Sequence, residues 1–478
     1  MKLTAYRNYK TTEAPWLGDV PSHWEVRRLR TVLRLRNEKN SPVKTEQILS
    51  LSIARGVTLY SHEGRGGNKR KEDITAYKIA HAGDIVLNSM NVIVGAVGLS
   101  RYTGAISPVY YALFPATDEV DIKYYDKVFG NTAFQRYLLI YGKGILIKKS
   151  NTGKLNTIRM KISPDDLKGT LLPIPPKDEQ TQIARFLEWK TAQINKFIRN
   201  KRRLIELLRE QKQAIINQAV TRGLDPNVKF KPSGVAWIGD IPEHWEVAPL
   251  KHLASINARV LPESTDQNYT FKYFDISSVG TGCLSGEPET LRFGQAPSRA
   301  RRILKKGDTI LSTVRTYLKA VYYVSDEVEN WIASTGFAAL TPKKAIHPPF
   351  LGLVIQSDNF INRVIRESIG VAYPAIAETK LGTLHLAYPK SIEEQQTILE
   401  HIADSSKAID QAIIRAQREI ELMREYRTRL IADVVTGQVD VRGIEVPAVA
   451  DDELLALDED TVEAEDVIDD EVEMDETD

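Results

Sequence analysis

A single cysteine, Cys283, stands in a chain of 478 residues, which excludes any disulfide within it and fits a reducing compartment. No apolar run reaches the roughly 20 residues needed to cross a bilayer, and the N-terminus lacks the apolar core of a secretory signal. The chain therefore reads as cytoplasmic. Net charge is also nearly absent, at +1, but the balance hides a segregation. Residues 451–478 hold sixteen Asp or Glu and no Lys or Arg, and without them 64 basic residues face 47 acidic ones. The acidic block, within a tail spanning 438–478, reads as solvated and disordered. The body before it carries +17, the electrostatic footprint of a polyanion binder.

Two more absences set the architecture. Residues 179–220 and 392–435 contain neither Pro nor Gly and are rich in Glu, Gln, Ala, Ile and Arg, so each predicts one long helix. At about 1.5 Å per residue each is a rod roughly 60 Å long. Pro173, Pro175 and Pro176 stop the first from extending backward, and Gly223, Asp225 and Pro226 mark its exit; Pro389 and Gly437 bracket the second. Heptads counted from Leu187 place Leu187, Ile194, Lys201, Leu208 and Ile215 at position a. The second helix gives Ile402, Ile409, Ala416, Met423 and Leu430. Only Lys201 breaks the stripe, although the d positions are weaker. Two matching stripes predict that the helices pair with each other as a coiled coil. Lys201 either sets the register of that pair or faces another molecule.

The rest of the chain says one thing twice. Trp16-Leu-Gly-Asp-Val-Pro-Ser-His-Trp24-Glu-Val-Arg-Arg-Leu29 and Trp237-Ile-Gly-Asp-Ile-Pro-Glu-His-Trp245-Glu-Val-Ala-Pro-Leu250 share nine of fourteen residues. Gly83-Asp84-Ile-Val-Leu87 is echoed by Gly307-Asp308-Thr-Ile-Leu311, and Ala112-Leu113-Phe114-Pro115 by Ala339-Leu340-Thr341-Pro342. Glu179-Gln180 recurs as Glu394-Gln395 at the helix starts. Such self-similarity means two copies of one module. The offset drifts through each globular part and then holds through the helices, so divergence collects in the loops. Residues 1–176 and 223–390 are the globular modules, and 177–222 and 391–437 the helical ones. Short β-rich runs (85–87, 92–94, 110–114, 309–311, 321–324) alternate with turns and with helical stretches at 123–140 and 349–369. The fold class is α+β, with two mixed domains separated by long helices.

Positive charge gathers in loops suited to duplex DNA. The first module offers Arg65, Asn68, Lys69, Arg70 and Lys71 in one loop, and Lys148, Lys149 and Asn151 in another. The second offers Ser298, Arg299, Arg301 and Arg302, followed by Arg315 and Tyr317. Lys and Arg neutralise phosphates without reading sequence, while Arg suits guanine edges and Asn adenine edges in the major groove. An ordinary solvated face explains Arg199 to Arg203 better.

The motifs described resemble those of the DNA-specificity subunits of type I restriction–modification systems over roughly residues 13–440. The Trp-Ile-Gly-Asp-Ile-Pro-Glu-His-Trp string carries the likeness, with Ala296 to Arg302, Lys306 to Arg315 and the Glu-Gln helix starts. The resemblance implies two target-recognition domains, each reading one half of a bipartite DNA site, on helices paired antiparallel as a spacer. It implies two modification (methyltransferase) subunits and restriction (motor-nuclease) subunits as partners. S-adenosylmethionine, ATP and magnesium would then sit on those partners, with no cofactor or metal in this chain.

The chain's own residues give no catalytic signature. His347-Pro348-Pro349-Phe350 has His where an amino-methyltransferase needs Asn or Asp, and reads as a loop entering a helix. Gly142-Lys-Gly144 and Gly153-Lys154 do not frame a phosphate-binding loop. His23 and His244 stand beside Pro and Trp without a second ligand nearby, which favours a packing role. The expectation is a non-catalytic recognition subunit; the alternatives are a non-specific nucleic-acid scaffold and a self-contained nuclease. The acidic tail, which the resemblance does not account for, would on a sharper reading compete with DNA phosphates.

Overall fold

The computed structural model describes residues 3–447 except 54, 61–72, 150–154 and 372, and only the backbone of 144–149 and 155–160. The acidic block therefore lies outside the described residues. Contacts divide the chain into two compact units, one of residues 1–202 with 417–478 and the other of 203–416. Each unit holds one globular module and half of each long helix.

The long helices are Lys177–Arg222 and Ile392–Val435. Within the first unit Arg427 donates to the side-chain oxygen of Asn195 at 2.9 Å, and Lys201 pairs with Glu419 at 2.6 Å. Within the second unit Lys212 pairs with Asp410 at 2.7 Å. Partners on one helix rise as those on the other fall, so the pairing is antiparallel. Leu187, Ile194, Ile402, Ile409 and Leu430 are buried as the heptad requires, each burial contributing about 1.5–3 kcal/mol. Leu208, Ile215 and Met423 are only half-buried. Ile198, Ile205 and Ile216 on the first helix, with Ile420 and Val434 on the second, take the seam instead. A straight helix at 3.6 residues per turn drifts about 20° per heptad from a 3.5 repeat, so the buried stripe walks away from position a. Lys201 falls off the seam for that reason. Its ammonium pairs with Glu419 and lies 5.3 Å from the Phe197 ring centre.

Each module is built on the same four-stranded antiparallel sheet. In the first the strand order is 33–35, 110–115, 85–88, 97–99; in the second it is 254–256, 337–342, 309–312, 321–323. The sequence echoes meet within this sheet: Ala112 pairs with Val86, and its counterpart Ala339 pairs with Ile310. A second sheet distinguishes the copies. In the second module strands 289–292, 270–274, 331–334 and 300–304 form it, with one parallel pairing. In the first module it thins to the hairpin 49–59 and the pair 78–80 with 104–106, joined by a parallel bridge between Ile48 and Ala105.

Two readings of local sequence need correction. Val92–Val94 is a 3₁₀ turn and not a strand, because Gly95 at φ +99° closes it with a bond from its N–H to the Val92 carbonyl. The stretches 123–140 and 349–369 are each two helices. Asn131 and Ser357 cap the second member of each pair, Asn131 accepting from Ala133 N–H and Ser357 from Phe360 N–H.

The repeated Trp and Glu residues explain one another. Glu179, 5% exposed at the start of the first long helix, accepts bonds from Trp24 Nε1 at 3.0 Å and from the Tyr6 hydroxyl, and bonds His23 Nε2 at 2.9 Å. Glu394 repeats this with Trp245 Nε1 at 2.9 Å and His244 at 2.9 Å. The neighbouring glutamines repeat as well. Gln180 donates to the Pro175 carbonyl at 2.8 Å and accepts from Asp121 N–H at 2.9 Å. Gln395 donates to Pro389 at 2.8 Å and accepts from His347 N–H at 2.7 Å. Each Glu-Gln pair thus pins a long helix to its module, and His347 leads into the helix Pro348–Gln356.

After the second long helix the chain returns to the first module. Tyr9 Oη donates to the Gly437 carbonyl at 3.1 Å, and Asp440 bridges to Thr4. Gly437 has φ +77°, and a β-carbon there would lie 2.3 Å from Pro21 Cδ and 3.0 Å from the Trp24 ring. Gly223, its counterpart after the first helix, has φ +73° but 3.5 Å of clearance to Trp245. Gly223→Ala should therefore cost the left-handed penalty alone, about 1–2 kcal/mol. Gly437→Ala should cost at least twice that, because backbone-anchored Pro21 must also shift. Thermal unfolding of the two variants checks the order, and equal losses would refute it.

Candidate nucleic-acid interface

The loops available to a partner are set by the repeated Gly-Asp turns. Gly83 and Gly307 take φ of +91° and +89°, and the carboxylates that follow them are buried. Asp84 accepts from His81 N–H at 2.8 Å and from both Nε and Nη2 of Arg36 at 2.6 and 2.8 Å. Asp308 accepts from Lys305 N–H and Thr341 Oγ1, each at 2.8 Å, and pairs with Arg259. A buried carboxylate must be compensated in this way. The result is a fixed start for the strands 85–88 and 309–312, which deliver the chain into loops 89–96 and 313–320.

In the second module Ser298 and Arg299 are exposed, and Arg299 is held by Tyr273 Oη at 3.1 Å and Asp275 at 2.7 Å. Those two partners raise its guanidinium pKa above the usual value. Arg301 is half-buried, its guanidinium 5.0 Å from the Phe293 ring centre. Arg302 is committed elsewhere: its side chain is 14% exposed and pairs with Glu378. Arg315 and Tyr317 are both exposed on the loop after strand 309–312.

In the first module Arg65, Asn68, Lys69, Arg70, Lys71 and Asn151 lie outside the described residues. Lys148 and Lys149 sit on strand Lys143–Lys149, opposite Thr157 and Leu155 across an irregular register. Three lysines, Lys78, Lys143 and Lys161, line a cleft of about 520 Å³ together with Tyr111 and Ser163. Lys78 donates to the Tyr110 carbonyl at 2.9 Å, and burial, then the Lys161 charge, lowers its pKa. Lys143 pairs with Asp166 at 3.3 Å. Lys39 bridges directly to Lys78 across the strands. Like charges set opposite one another are unfavourable, and among these lysines Asp166 compensates only Lys143.

Residues 242–422 match the type I restriction modification DNA specificity domain. A putative type I restriction enzyme MjaX specificity subunit of Methanocaldococcus jannaschii is 24% identical over 454 residues, 91% of this chain and 97% of that one. The chain is similar to type I specificity subunits over most of its length. The MjaVIII specificity subunit of the same organism is 25% identical over 289 residues, 57% of this chain and 63% of that one, so the match spans under two thirds of that relative. A solved chain from work on complex assembly and conformational transition of the type I R-M system shares the fold, with a TM-score of 0.57. It is 13% identical, and the match covers 87% of this chain and 98% of that one.

Sequence reading of this chain missed the lysine cleft. Lys78, Lys143 and Lys161 are single cations, far apart in the chain, that only strand pairing brings together. The one available hint was the alternation around Lys78, which places Ile79 inward and its neighbour Lys78 on the opposite face.

Proposed function

We propose that this chain recognises double-stranded DNA without catalysis, each module reading one half of a bipartite site. Its paired helices dock two modification subunits and the restriction subunits. The observation that carries the reading is one scaffold bearing two different surfaces. The strand order of the antiparallel sheet is the same in both modules, yet the first carries the long hairpin Lys143–Lys161 and the second carries the four-stranded sheet around 270–304. A duplicated frame with diverged surfaces suits two unlike targets. S-adenosylmethionine, ATP and magnesium belong to the partner subunits, and the assembly is cytoplasmic; no helix among the described residues is long and apolar enough to cross a membrane.

Phosphates supply affinity in such a complex and base edges supply choice. Lys78 and Lys161 are assigned to phosphate. The double substitution Lys78→Gln, Lys161→Gln should weaken binding to every duplex alike and flatten the plot of log affinity against log salt by about 1–2. Titrating labelled duplexes of fixed and random sequence at several salt concentrations tests both layers. Equal competition by random DNA would favour a non-specific scaffold, and strand cleavage by the chain alone with magnesium would favour a nuclease.

A further inference from the structure

Four non-glycine residues among the described ones have positive φ, and two of them, Arg315 at +52° and Lys319 at +51°, flank a single 3₁₀ turn, Thr316–Leu318. Left-handed backbone at such residues is strained and persists only where the surroundings impose it. Here a second segment imposes it. Arg315 N–H donates to the Pro374 carbonyl at 2.8 Å, and Ile376 N–H to the Thr313 carbonyl at 2.9 Å. Thr316 Oγ1 and Ser368 Oγ share a bond of 2.9 Å. Ile369 and Ala375 close the segment on itself through two backbone bonds of 2.8 and 3.0 Å. The described residues Ile369 and Pro374 to Ile376 are thus fixed to the module.

What this segment presents is unusual for a surface. Val371 is 103% exposed and Ile369 84%, with Tyr373, Tyr317 and Leu318 exposed around them. Clustered apolar exposure of this kind marks an interface. Residues 368–377 carry no charge, and 309–324 carry only Arg315 and Lys319. The Arg315 guanidinium lies 4.7 Å from the Tyr373 ring centre, which orients it, and it has no ion pair among the described residues. Lys319 pairs with Asp358 at 3.9 Å, so Arg315 supplies the tip's uncompensated charge, and an apolar tip with a cation of this kind fits a polyanion that also offers apolar contacts. On a duplex the thymine methyl is such a contact, and it is displayed only in the major groove, beside the guanine O6 and N7 acceptors that suit Arg.

We infer that the segment Ile369–Ala375, braced by the turn Arg315–Lys319, is the element with which the second module enters the major groove. Arg315 meets a guanine edge, and Val371 with Ile369 meets thymine methyls. This rests on the DNA-reading function proposed above. The test is a map of modified sites in cells expressing the chain with its modification subunit, comparing wild type with Arg315→Ala, Arg315→Lys and Val371→Ser. Val371 packs against nothing, so its substitution leaves the core intact, and unchanged unfolding temperatures verify this for each variant. The expected result is that each variant relaxes discrimination by roughly tenfold or more at one base pair. All such positions should lie in the same half of the motif, with the other half untouched. A wild-type bipartite motif that all variants keep at full stringency would overturn the inference and leave the proposed function standing. Loss of co-purification with the modification subunit would make the tip a protein contact and overturn it as well. A wild type without any two-part motif would remove both.

Discussion

Glu179→Ala should lower the stability of the first unit by about 3 kcal/mol, the cost of stranding two buried donors, Trp24 and Tyr6, around a removed carboxylate. Trp24 Nε1 and the Tyr6 hydroxyl both donate to that carboxylate, and His23 bonds its other oxygen. Burial and the Glu179 charge both push the Tyr6 phenol pKa far up, so the hydroxyl stays a donor at any working pH. The equivalent Glu394→Ala should cost only about 1 kcal/mol, although the sequence motif is the same. Glu394 is 31% exposed and His244 53%, so water replaces much of what is lost. At about 2–4 °C per kcal/mol for domains of this size, the two variants should differ by several degrees. Calorimetry that found them equal would show that the motif's burial does not decide its contribution.

The second large effect concerns function. Exchange of residues 1–176 for the first module of a relative with another target should replace one half of the recognised sequence and leave the other intact. The junction falls just before Lys177, where the helix begins, and it preserves Glu179 and Gln180 on the recipient side. The incoming module must therefore bring its own Trp and His to meet Glu179, as Trp24 and His23 do here. A graft lacking them is expected to fail in folding before it fails in reading. If a folded hybrid changed both halves of its site, independent reading by the modules would be refuted.

The particular elements show which parts of this molecule are local and which are not. Long runs without Pro or Gly specify helices through propensity and hydrogen bonds between near neighbours, and the ends at Lys177 and Val435 lie where those residues stop. The repeat is equally legible, since identical strings at Trp16 and Trp237 need no structure to be compared. Their purpose was hidden, because Trp24 and Glu179 are 155 residues apart and only folding joins them. The heptad stripe was right where Leu187, Ile194, Ile402 and Ile409 are buried, and failed at Leu208, Ile215 and Met423 as the seam drifted. Surfaces were least legible. Arg302 looked like its neighbours until Glu378, 76 residues on, was found beside it. The tip at Val371 has no charge to draw the eye, and its meaning comes from the strained turn packed behind it.

The central claim is that this chain alone chooses the DNA sequence, in two parts. Single-molecule sequencing of host DNA, with the modification subunit expressed in the presence and absence of this chain, tests it most directly. The account predicts modified adenines at a two-part motif with a gap of fixed length, all of them lost when the chain is omitted. Modification that persists without the chain, or that falls on a single undivided motif, would contradict it.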